Sequence, residues 1–146
     1  METVWAGARE RFQEERRRED ELATLSAHLS AATARWLELV WAMHDEGDDG
    51  GELAGYLAYR CGITRREARE YVRVAEALHE LPAIRAAFAR GALTFTKVRA
   101  LTRVATASSE EGLLEVAEAL TASQLERALR VYRRIAADEA RETHEF

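Results

Sequence analysis

The sequence predicts an all-α protein, a single multi-helix domain of seven or eight helices, and three observations carry that expectation. Alanine, leucine, glutamate and arginine dominate the composition, and all four are strong helix formers. Eight glycines and one proline in 146 residues leave little material for the turns of a sheet protein. Apolar residues recur at helical spacing along most of the chain, with no alternating run that would mark a strand. A chain of 146 residues, 47% apolar and 32% charged, suffices for one domain with a real core.

Residues 1–20 read as a charged helical arm and residues 21–146 as the helical domain. The arm carries only a thin apolar stripe, Val4 or Trp5, Ala8 and Phe12, and Glu14 to Glu21 is almost wholly charged. Such a helix is a solvated arm or one strand of an oligomer contact. Residues 21–45 give the strongest helical pattern. Leu22, Leu25, Leu29, Ala32, Trp36, Leu39, Val40 and Met43 form a broad apolar face, with Trp36 and Trp41 at the core or its edge. His28 and His44 have no companion at metal-ligand spacing. The acidic, glycine-rich stretch Asp45 to Gly51 lacks the closing glutamate of a calcium loop and reads as a connection.

Residues 53–79 read as a helix-turn-helix. Leu57, Ala58 and Cys61 belong to the first helix, with Cys61 expected as a packed thiol. Gly62 suits the left-handed conformation that ends a helix, and Ile63 plugs the corner. Thr64 then caps the second helix, with Glu67 completing a capping box. Tyr71, Val72, Ala75 and Leu78 point inward from that helix. Glu80-Leu81-Pro82 ends it and starts the next, which stops at Gly91. Thr94 caps a helix over Phe95 to Ala105. Ser108 with Glu111, and Thr121 with Gln124, mark two more, the last carrying Leu125, Leu129, Tyr132 and Ile135 inward.

The net charge of −5 conceals an uneven distribution. Residues 1–52 carry net −7, residues 60–103 net +6 and residues 104–146 net −4. A basic middle between acidic ends is what a phosphate-facing surface needs, unless the arginines pair with the acidic arms. One cysteine excludes an internal disulfide and a multi-cysteine zinc site. The apolar stretch from Ala31 to Met43 is broken by Arg35 and Glu38, so no membrane span is expected, and the N-terminus does not resemble a signal peptide. A cytoplasmic location is expected.

With Glu-Leu-Pro-Ala-Ile at 80–84 and Gly-Ala-Leu-Thr-Phe-Thr-Lys-Val-Arg-Ala-Leu at 91–101 in view, the chain resembles, from about Leu22 to Ile135, a bacterial domain of unknown function. That domain precedes HNH endonuclease modules in actinobacteria and myxobacteria (the thirteen-E-twelve repeat family). Tyr-Leu-Ala-Tyr-Arg-Cys-Gly-Ile at 56–63 and Ala-Arg-Glu-Tyr-Val-Arg-Val-Ala at 68–75 carry the likeness as well. A second, partial resemblance is to the DNA-binding core of ParB-type partitioning proteins, which share the helix-turn-helix, the Leu-Pro and the Gly-x-Leu-Thr segment. The first resemblance implies a nuclease neighbour whose catalytic module would follow residue 146. An HNH centre needs converging histidines and an asparagine, whereas this chain has four scattered histidines and no asparagine. No catalytic residues, metal or cofactor are therefore expected.

The leading expectation is a DNA-binding module. Arg65, Arg66, Arg69 and Arg73 would face the major groove, while Thr64, Thr94, Thr96 and Lys97 would meet phosphates at helix starts. The alternatives are a helical interaction module, docking a nuclease or another copy through Trp5, Phe12 and the N-terminal helix, and a truncated family remnant.

Overall fold

In the computed structural model, residues 2–44, 46–48 and 51–144 are described. They form seven α-helices and no strand: α1 (Glu2–Ala42), α2 (Gly51–Cys61), α3 (Arg65–His79), α4 (Pro82–Ala89), α5 (Phe95–Leu101), α6 (Glu110–Ala119) and α7 (Ala122–His144). The expected arm and the expected strong helix are one rod, because nothing between residues 18 and 24 breaks a helix. Charged residues with high helix propensity carry α1 straight through.

The core gathers around α4. Ile84, Ala87 and Phe88 are fully buried, together with Val74 of α3, Val98 and Leu101 of α5, Ala117 of α6 and Leu125 of α7. The second half of α1 packs on α3 and α4, α2 packs on α3, and α6 and α7 close the far side against α4 and α5. Gly91 lies against α1: a Cβ there would come within 2.6 Å of the Ala27 carbonyl oxygen, and its φ is +80°. That contact marks where α1 joins the body. Residues 3 to 26 are exposed except for Gly7, so more than half of α1 stands clear of the domain.

The face that α1 buries is not the expected one. Ser30, Ala34, Leu37 and Val40 are buried, whereas Leu22, Leu25, Leu29, Leu39 and Met43 are exposed. Of the expected stripe only Val40 is buried, and Trp36 is half-buried. Small residues at 30 and 34 let α3 and α4 approach closely, which the larger leucines opposite would prevent.

Three further details differ from expectation. Cys61 is exposed, because α1 stays away from the end of α2 and leaves an open groove lined by Leu29, Ala32, Thr33, Trp36, Cys61, Ile63 and Tyr71. Tyr132 and Ile135 are 39% and 53% exposed, since α7 outruns the body after Leu129. Ser108 and Glu111 form no box: α6 starts one residue later, after Ser109. There Glu110, 5% exposed, turns back so that its carboxylate accepts from the Ile84 amide at 2.8 Å. This satisfies a free amide in the first turn of α4, whose own N-cap, Leu81, has no side-chain acceptor. The Thr121–Gln124 box is complete, with reciprocal bonds of 3.0 and 3.2 Å.

Candidate nucleic-acid interface

The corner between α2 and α3 forms at Gly62 and Thr64 as expected, with only the Thr64 half of the expected capping box made. Gly62 adopts φ +68°, and the Thr64 hydroxyl accepts from the Glu67 amide at 3.1 Å to start α3. Ala68, fully buried, and Leu57 bring the two helices together. The inward face of α3 carries Ala68, Val74, Ala75 and Leu78. At 100° per residue, Arg66, Arg69 and Arg73 fall within about 60° of one another on the opposite face.

Those three arginines are not alone. Arg73 reaches across to α5, donating to the Arg99 carbonyl at 3.3 Å and the Thr102 hydroxyl at 3.4 Å. Glu70 sits between the two helices. It accepts from Arg73 at 2.7 Å and from Arg103 at 3.1 Å, with Arg99 at 3.8 Å. The Arg73 hydrogen bonds, with those of Arg103 adding to them, outweigh partial burial and hold its carboxyl at about 2. Beyond α5, a groove of about 290 Å³ is lined by Arg99, Arg103, Arg130, Arg133 and Glu126. Five arginines, Arg73 of α3, Arg99 of α5, Arg103 of the turn after it, and Arg130 and Arg133 of α7, thus adjoin two carboxylates, Glu70 and Glu126, and Arg66 and Arg69 share the helix face of Arg73.

The sequence-predicted residues divide across this geometry. Arg66 and Arg69 are exposed and make no ion pair among the described residues. Arg73 is committed to Glu70 and α5. Arg65 lies over α2, where its guanidinium would meet a Cβ at Gly55 within 2.9 Å. The Thr64 and Thr94 hydroxyls are both spent on capping. Thr96 is exposed at the start of α5, but Lys97 turns away and donates to the Ala117 carbonyl at the end of α6, 2.7 Å. Arg130 and Arg133 escaped the sequence reading because they lie in a segment of net negative charge; their i, i+3 spacing on α7 was the available signal.

Elsewhere, the Trp41 ring is stacked between His44 and His79, each at 4.4 Å. Among the described residues no cluster of His, Cys, Asp or Glu could hold a metal ion, and no helix is long and apolar enough to cross a membrane.

Fold and surface together define an all-α helical domain with an arginine-bearing face. The chain belongs to the family described as "Domain of unknown function (DUF222)", whose model matches residues 14–144. No curated protein and no solved structure matches it.

Proposed function

We propose that the chain is a DNA-binding module of this family, with α2 and α3 acting as a helix-turn-helix. Arg66 and Arg69 on the outer face of α3 enter the major groove, where a guanidinium fork reads guanine edges. Arg99, Arg103, Arg130 and Arg133 flank it as phosphate contacts. The observation that carries the reading is the convergence of arginines from three helices on one surface of a net acidic chain. Acidic side chains elsewhere repel the polyanion and leave that surface as the side on which it docks. The module supplies no chemistry of its own and holds a separate catalytic partner, such as an HNH nuclease, on the duplex.

The test is fluorescence anisotropy with a labelled duplex across a salt series. Affinity falls steeply with salt, and Arg66→Ala with Arg69→Ala weakens binding at least tenfold. Binding indifferent to both substitutions would remove α3 as the reading helix. Incubation with DNA and divalent metal gives no cleavage; turnover by the purified chain would overturn the non-catalytic assignment.

A further inference from the structure

The rod α1 has two apolar faces; the domain buries one and touches the other at Trp36, which is half-buried with its ring edge-on to Tyr71 at 4.9 Å. Toward the body it presents Ser30, Ala34, Leu37 and Val40, all buried. On the other side Leu22, Leu25, Leu29, Ala32, Trp36, Leu39 and Met43 follow one another at alternating steps of three and four residues. That is the heptad spacing of a coiled-coil seam. The seam is centred about 120° around the helix from the buried face. Leu22 and Leu29 are 69% and 70% exposed, and Leu25, Leu39 and Met43 are each about half exposed. A contiguous apolar strip of this length is a docking surface, and the free half of α1 lacks the tertiary packing that stabilises most helices.

We propose that the seam pairs with the same helix of a second copy, antiparallel about a two-fold axis between residues 30 and 31. In that register six of the seven seam residues meet one another, and Met43, at the end, lies alongside the aliphatic stem of the second copy's Arg18. Leu22 faces Leu39 of the second copy, Leu25 faces its Trp36, and Leu29 faces its Ala32, whose small side chain leaves room for the leucine. The strip is thus self-complementary, as an isologous contact requires.

Charge selects the direction. The antiparallel register carries Arg16, Arg17 and Arg18 of one copy alongside the end of the other's α1 and its acidic connection, which includes Glu46 and Asp48. A parallel pairing would set the arginine run against itself and Glu14 against Glu19, like charges at flanking positions that disfavour assembly. The pairing is independent of the nucleic-acid reading, because the arginine face lies on α3, α5 and α7.

Sedimentation equilibrium on the full chain tests it. The wild type runs at twice its 16.5 kDa chain mass. Leu25→Glu with Leu29→Glu, both at exposed positions, runs as a single chain with unchanged helical circular dichroism. A wild type that stays monomeric at the highest soluble concentrations would overturn the proposal and leave another protein's helix as the seam's occupant. A double glutamate variant that remains dimeric would overturn it equally. Direction is read by oxidation in a Cys61→Ser background. Arg18→Cys combined with Met43→Cys cross-links into a covalent dimer, whereas neither substitution alone does so. The two positions lie about 37 Å apart along one rod at 1.5 Å per residue, so the link must join two copies. A cross-link in either single variant would exclude the antiparallel register.

Discussion

Glu70 is the residue on which the arginine face turns. Its carboxylate gathers Arg73, Arg99 and Arg103 where a phosphate would otherwise be drawn. Because its folded pKa of about 2 lies below the ordinary 4.5, its contribution to stability is fully present above pH 4.5. That contribution is lost as pH falls toward 2. Glu70→Gln is expected to lower stability at pH 7 by about 1–2 kcal/mol, discounted for partial exposure, and to flatten the acid limb of urea unfolding between those values. The same change removes a negative charge from the proposed binding face and is expected to tighten DNA binding, measured by anisotropy. Gly91 acts differently: positive φ and the Ala27 carbonyl at 2.6 Å both oppose a side chain. Gly91→Ala is expected to cost about 2 kcal/mol or more, seen as a lowered melting temperature. Neither role was legible beforehand. Gly91 was read correctly as a helix stop, but its contact with α1 spans more than sixty residues of chain.

Among the elements, α1 separates pattern from use. Its broad apolar face, Leu22 to Met43, was visible in the sequence, yet periodicity reports only that a face is apolar, not which neighbour covers it. The weaker-looking set around Ser30 and Ala34 won the core because small residues admit close helix packing. Leu37→Ala is therefore expected to destabilise the domain by about 2–5 kcal/mol in urea unfolding. The caps of α3 and α7 were legible because they are local. Thr64→Ala should cost about 1 kcal/mol and leave the first turn of α3 with faster amide exchange.

Across the whole molecule, the basic surface is a tertiary product. Arg66 and Arg69 were within reach of sequence reasoning, since one helix places them together; Arg130 and Arg133 were not, since α7 meets α5 only in the folded chain. Their proposed roles differ accordingly. Arg130→Ala with Arg133→Ala is expected to weaken binding evenly across DNA sequences and to reduce the salt slope by up to about 2. Arg66→Ala with Arg69→Ala should change sequence preference as well, and anisotropy on a panel of duplexes separates the two effects.

By itself the sequence determined the helical class, the glycine corner at Gly62, the start of α3 at Thr64 and the concentration of positive charge between residues 60 and 103. These depend on propensity, capping and composition, which act over a few residues. Only the tertiary structure decided which face of α1 is buried and that Cys61 is exposed. It also turned Lys97 to α6 and Glu110 to α4, and joined Glu70 to arginines of another helix. The physical reason is that burial and ion pairing depend on volumes and charges brought together from distant positions, and local pattern carries no record of those neighbours.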